Sequence, residues 1–383
     1  MQSTANKTAI RISPARHRER VAALQAKMEE THFDAFLVSH FANRRFLSGY
    51  SAPDHLPSET AGFLLVTPGS NFLITNFLYV DSAREETEPA GFEVVINVPG
   101  ETFIQAIARL IRQSGAKRVG FESVALVFDY YEALSRELAG EAELLPTRGF
   151  IEPLRWLKDA EELVLMRQAI AISDRAFDEV RPLIQPGITE KQIAWEIERR
   201  VREFGGEALA FETIVASGPN GSTPHAVPGE RVIEAGDPVI IDMGARYFGY
   251  NSDMTRTVCA GEPTARFKEI YNIVLEAELR ACDAVRPGLT GNEVDAVARD
   301  IITQHGYGST FRHSLGHGIG LAVHEPPSVS KGSPHVLAPG MIHSVEPGIY
   351  LTGWGGVRIE DLVLVTEAGF ENLTGAVKDG YYQ

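Results

Sequence analysis

Apolar residues recur at helical spacing through Arg20–Thr31 and through ETFIQAIARLIRQSG, and form short continuous runs in DAFLVSH (34–40), FLLVT, NFLITN and KRVGFE. The first spacing predicts amphipathic helices, the second short buried strands. FLLVT and NFLITN flank Pro68-Gly69 and read as a strand pair around a turn, while YYEALSRELAG adds another helix. Residues 16 to about 145 therefore predict a small α/β domain with no catalytic cluster of its own. The pattern lapses between Pro146 and Pro153, dividing the chain into domains of residues 1–150 and 151–383.

The second part repeats itself. IQPGITEKQIAWEIERRVREFGG (184–206) aligns with VRPGLTGNEVDAVARDIITQHGYG (285–308). Each has Pro-Gly, then a threonine placed to cap a helix (Thr189, Thr290), then Gln192 or Glu293 three residues on to complete a capping box. Strand-rich sequence trails each helix. A duplication of helix-then-strands predicts two pseudo-equivalent halves with a cleft where their sheets meet.

Candidate chemistry sits in that cleft. Asp242 (IIDMG) and Asp253 (NSDMTRT) flank a glycine-bounded stretch that reads as a hairpin with its tip at Tyr247-Phe248, which sets the two aspartates directly opposite each other. Glu346 (SVEPGIY) and Glu360 (VRIED) flank Gly353-Trp354-Gly355-Gly356 in the same way. His317 lies between glycines in GHGIG. Two unit charges about 5 Å apart at an effective dielectric near 20 repel by roughly 3 kcal/mol. Four carboxylates beside Ile, Val and Leu runs therefore call for cations. Oxygen-rich ligation with one imidazole suits a pair of Mn²⁺, Co²⁺, Zn²⁺ or Fe²⁺ ions, and metal-assisted hydrolysis as the chemistry. His225 lies in the loop SGPNGSTPHAVPG, His313 four residues before His317, and His324 in VHEPP. Arg358, two residues before Glu360, projects to the same side of its strand.

Composition narrows the partners. Hydrophobic content of 44% and charged content of 23% are those of a globular protein with a sizeable core. A net charge of −15 argues against nucleic acid or an anionic membrane as the partner. No apolar run is long enough to span a bilayer. The polar, basic N-terminus lacks the apolar core of a secretory signal. Cys259 and Cys282 supply neither a disulfide framework nor zinc spacing, and a cytoplasmic location is expected.

At the five ligand candidates, at FETIVASGPNGSTPHAVPG, at LRWLKDAEELVLMRQA and at NRRFLSGY, the chain resembles the pita-bread metallopeptidases: aminopeptidase P, prolidase, methionine aminopeptidase and the related creatinase. The resemblance covers nearly the whole chain. It implies a creatinase-like N-terminal domain and a pseudo-two-fold pita-bread catalytic domain, in a homodimer acting on short proline-containing peptides. It further implies that Asp253 and Glu360 bridge two metals, Mn²⁺ first among the candidates. Asp242 would hold one metal and His317 with Glu346 the other. Glu346 would also shuttle a proton for the attacking water. His225, His313 and His324 would orient substrate, and Arg358 would organise the substrate end of the site.

Length and ligand spacing place Xaa-Pro dipeptidase ahead of Xaa-Pro aminopeptidase, with another small-amide hydrolase on the same fold as a further alternative. The chain departs from the family at Thr75-Asn76-Phe77-Leu78-Tyr79, where an Asp-x-Arg-Tyr motif is frequent, and in the long loop 50–61. Asp54 and His55 in that loop are expected to rim a neighbouring active site.

Overall fold

The computed structural model describes residues 11–380 apart from 55, 57, 58 and 99. The chain divides into two compact units, one of residues 11–155 and one from Trp156 onward.

The first unit is a six-stranded sheet in the spatial order Phe92–Ile96, Asn71–Thr75, Gly62–Val66, Ala35–Val38, Arg118–Glu122, Glu143–Thr147. The pair at Pro68-Gly69 forms as expected, with Val66 opposite Asn71. Helix Phe103–Ser114 starts at a capping box between Thr102 and Gln105 and buries Ile104, Ile107, Leu110 and Ile111. Four further elements escape the apolar pattern, for physical reasons. The strands Phe92–Ile96 and Glu143–Thr147 are the two sheet edges, so neither is apolar throughout. Pro146 is tolerated there because an edge strand has unpaired ladder positions. The helices Phe41–Ser48 and Val80–Thr87 have eight residues each, too few to display a 3.6-residue period.

Gly62–Val66 runs antiparallel to both its neighbours, whereas the other five strands run parallel to one another. Their C-terminal ends therefore lie at one end of the sheet. The segments leaving that end expose Phe41, Phe77, Leu78, Val98, Val124 and Phe128. Asp54 turns inward within this unit: Oδ1 lies 2.9 Å from Arg44 Nη2 and accepts from the Ala61 N–H at 2.7 Å. Arg44 is almost wholly buried, and a buried guanidinium requires a counter-charge. The carboxylate thus ties the loop to helix Phe41–Ser48 through Arg44. His55 lies outside the described residues.

The second unit carries the duplication. Helices Glu190–Glu203 and Gly291–Gln304 both begin at complete capping boxes, on Thr189 with Gln192 and on Thr290 with Glu293. Each packs on the longer helix before it, Ala160–Val180 and Ala265–Ala284. The two caps also make equivalent isolated β-bridges, Thr189 with Val232 and Thr290 with Val336. A three-stranded sheet follows the first helix pair, in the order Met254–Cys259, Pro238–Met243, Ile214–Ser217, with a smaller sheet of Tyr250–Asn251, Ala245–Tyr247 and Ala208–Leu209 beside it in the chain. A five-stranded sheet serves the second, in the order Glu325–Val329, Gly316–Gly318, Ile342–Val345, Asp361–Thr366, Gly369–Asn372, with the two-stranded pair Gly348–Leu351 and Gly355–Arg358. Each half has its own apolar core, one around Phe177, Ile197 and Ile241 and one around Phe267, Ile302 and Val363.

Candidate metal centre

The aspartates come from the first half. Their hairpin turns at Phe248-Gly249, both at positive φ (46° and 80°), with Tyr247 opposite Tyr250. That is the backbone a two-residue primed turn demands, and the glycine supplies it at no steric cost. The tip lies one residue further along than the sequence pattern indicates, so the aspartates are not directly opposed. Asp242 faces Thr255, and Asp253 lies diagonally across on the same sheet face. The shift relieves the direct clash of charge and inserts a hydroxyl donor. Gly244 makes the close approach possible: a Cβ there would lie 2.1 Å from the Ser252 carbonyl oxygen. Gly244→Ala should cost about 1–3 kcal/mol and loosen metal binding, as read by thermal unfolding and metal titration.

The glutamates come from the second half, in the expected register. Val345 pairs with Asp361 and Gly348 with Arg358, which brackets Glu346 opposite Glu360. The halves are sewn together where these strands meet. Glu360 N donates to Thr255 O at 3.0 Å, Thr255 Oγ1 donates to Glu360 Oε2 at 2.7 Å, and Thr257 Oγ1 donates to Arg358 O at 2.8 Å.

His317 enters from strand Gly316–Gly318. Its Nδ1 lies 3.0 Å from Gly318 O and is therefore the protonated nitrogen. The Nε2 lone pair faces Asp253 Oδ2 at 3.6 Å and Glu346 Oε1 at 3.5 Å. Donor atoms of Asp253, His317 and Glu360 all lie within 4.8 Å of one another. Asp242 is drawn instead to Arg358 Nη2.

Burial raises every carboxyl in the cluster. Glu346 is pushed up to about 7 and Glu360 to about 8, the latter helped by the charges of Glu346 and Asp242. Asp253, facing three carboxylates, rises well above the usual range, and Asp242 rises too, against the pull of Arg358. Asp242 Oδ1 and Glu360 Oε1 are buried with no hydrogen-bond partner among the described residues. Orphaned acceptor oxygens beside an imidazole lone pair form a donor set that divalent cations complete.

The three other histidines line the same cleft of about 370 Å³, together with Arg358. His324 stacks edge-on against His317 with ring centroids 4.4 Å apart. Burial, with the neighbouring imidazoles, lowers its pKa. His313 Nε2 lies 3.0 Å from Tyr350 Oη, and burial beside Arg358 holds its pKa at about 4. Arg358 Nε donates to Thr255 Oγ1 at 2.9 Å and Nη1 to Tyr350 Oη at 3.1 Å.

Tyr350 and Thr255 are site residues the sequence reading missed. Strand alternation gives the signal, since Thr255 is two residues from Asp253 and Tyr350 is four from Glu346. An apolar wall of Phe211, Ile214 and Val323 was likewise unforeseen. Nothing in its spacing marks it out from ordinary core.

Residues 164–367 match the model of metallopeptidase family M24, and residues 20–157 match that of the creatinase/prolidase N-terminal domain. The chain is 38% identical over 356 residues to an Xaa-Pro dipeptidase of Pyrococcus horikoshii, covering 93% of this chain and 97% of that one. Among solved structures it is similar to an Xaa-Pro dipeptidase from Bacillus anthracis, at TM-score 0.88 and 40% identity over 94% of this chain and 98% of that one. An X-Pro aminopeptidase from Thermotoga maritima gives TM-score 0.85 and 37% identity over 94% and 98%.

Proposed function

Because the chain belongs to metallopeptidase family M24, we propose that it hydrolyses the Xaa-Pro bond of dipeptides and short peptides with two divalent metals, Mn²⁺ first among them. The convergence of the buried Asp242, Asp253 and Glu360 with the partly buried Glu346 and His317 in one cleft carries the reading. The similarity to Xaa-Pro dipeptidases supports the substrate. A tertiary Xaa-Pro amide lacks the N–H that many peptidases read, so recognition falls to shape and terminal charge. Xaa-Pro aminopeptidase activity is the second reading, favoured by the Thermotoga neighbour.

Asp253 and Glu360 would be shared between the two metals, with Asp242 helping to hold one and His317 with Glu346 the other. When bound, such a pair polarises the scissile carbonyl and acidifies water. Glu346, on the cleft wall beside His317 Nε2, would take a proton from the attacking water and pass it to the leaving nitrogen. His324 and His225 at the cleft wall orient the substrate carbonyl and the carboxylate end. His313 and Tyr350 hold Arg358, which in turn fixes Asp242. His324→Ala should keep metal and lose about 10²–10⁴-fold in rate. A variant of normal activity would show that His324 has no such role.

No helix among the described residues is long and apolar enough to cross a membrane. A cytoplasmic homodimer is the proposed setting, supported by the apolar end of the first unit's sheet and by two buried, unpaired cysteines. The test is to reconstitute metal-free protein with Mn²⁺, Co²⁺ or Zn²⁺ and compare proline release from Xaa-Pro with cleavage of Xaa-Pro-Yaa. Silence on both substrates with every metal would overturn the proposal.

A further inference from the structure

Behind Glu360, on the side away from the cleft, lies a ring of buried charge. Asp361 follows Glu360 and by strand alternation points to the opposite face. Its Oδ1 lies 2.7 Å from Arg256 Nη2, and its Oδ2 lies 2.5 Å from Lys378 Nζ and also accepts from Asn372 Nδ2. Lys378 Nζ reaches both carboxylate oxygens of Glu278 at 2.8 Å. Glu278 and Asp361 are wholly buried, and Arg256 is nearly so.

Arg256 also holds the main chain around Glu360. Nη1 donates to Glu360 O at 2.6 Å and to Thr255 O at 2.9 Å. Its remaining donors go to the C-terminal tail, Nη2 to Ala376 O at 2.7 Å and Nε to Val377 O at 3.1 Å. The tail is laid down along this back face by further bonds. Leu362 N donates to Thr374 Oγ1 at 3.0 Å, Cys259 N to Gly380 O at 2.8 Å, and Gly380 N to Tyr271 Oη at 3.0 Å.

A buried ion network adds little net stability compared with apolar residues of the same shape. What it does add is a fixed geometry for the groups it joins. Here the joined group is the residue next to a proposed metal ligand, gripped by Arg256 from strand Met254–Cys259 and by Asn372 and Lys378 from the tail. We propose that Lys378, carried on the tail, is a positioning residue for the metal centre, holding through Asp361 the strand segment from which Glu360 enters the cleft. The proposal rests on the assignment of Glu360 as a ligand. Outer groups that orient metal ligands are commonly worth 10–100-fold in affinity, and Lys378 belongs to that class.

The probe is Co²⁺ alone, titrated into metal-free full-length protein and followed by its visible absorption, with thermal unfolding measured in parallel. Lys378→Met should weaken Co²⁺ binding about 10–100-fold and alter the absorption envelope. It also leaves Glu278 buried without a counter-charge, its one other partner among the described residues being the Cys282 thiol, and can fail to fold, so the deciding variant is Glu278→Gln with Lys378→Met. That double variant removes the stranded charge while still depriving Asp361 of its ammonium. It should recover stability and keep the Co²⁺ defect. Wild-type Co²⁺ affinity and spectrum in the double variant would overturn the proposal. So would joint loss of stability and affinity in that variant, which would make Lys378 a structural residue only. Asp253→Asn separates the premise from the proposal: Co²⁺ bound normally by that variant removes the metal centre itself, whatever Lys378 does.

Discussion

Asp253→Asn is expected to abolish divalent-metal binding and hydrolysis together. Asn keeps the shape and removes the charge, so any loss comes from charge and ligation rather than packing. Asp253 is the most electrostatically burdened group in the cleft, with Glu360, Asp242 and Glu346 all raising its pKa beyond the effect of burial. A group so placed favours its proton, and cations in the cleft would take the proton's place. Its removal should exceed the 10–100-fold typical of outer groups and reach roughly 10³-fold or more in kcat/KM. Metal stoichiometry by titration and turnover on Xaa-Pro check it. Retention of two tightly bound Co²⁺ ions per chain would show that Asp253 is not a shared ligand.

Stripping the metals should invert the pH dependence of stability at this site. A carboxyl whose folded pKa lies above its unfolded value binds more protons in the folded state across the window between the two. Stability then falls as pH rises through that window. Glu346 at about 7 and Glu360 at about 8, from an ordinary 4.5, put the window between about 4.5 and 8. The combined cost at the upper end is on the order of several kcal/mol. Metal-free protein should therefore lose melting temperature from pH 5.5 to 8.5. The metal-loaded form should hold or gain, because bound cations take the place of the protons and bind more tightly as those protons leave. An unloaded melting temperature that stays flat or climbs over that interval would contradict the buried-acid description.

The elements legible from sequence were those with redundant local signals. The helices at Thr189 and Thr290 carry caps, boxes and apolar periods that agree, and both form as expected. The glutamate hairpin was legible because its two strands keep one register across a glycine-rich turn. The aspartate hairpin misled by one residue at its tip. Phe248 adopts positive φ, which an aromatic residue seldom does, so the turn could not be placed from residue preference. In the first unit, the edge strands and two-turn helices were invisible because half-exposed or short elements carry no period. Tyr350 and Thr255 carried a signal in strand alternation, but the tail around Lys378 carried none. It acts through partners brought near only by folding, Lys378 lying 100 residues from Glu278 in sequence.

The stitching of Thr255 and Thr257 to Glu360 and Arg358 bears on how such a site could first have arisen. One half of the second unit supplies the two aspartates, the other His317 and the two glutamates, and neither alone brings the five groups together. A half-length ancestor would have had to meet a second copy of itself to make a reaction centre, with the cleft lying across a symmetric subunit contact. Joining two such copies into one chain would turn that encounter into an intramolecular one, at an effective concentration set by the connection alone. It would also leave the two sides free to differ, as they do here, one with aspartates beside a tight turn and the other with a histidine and glutamates. Symmetry in the scaffold thus survives as asymmetry in the chemistry.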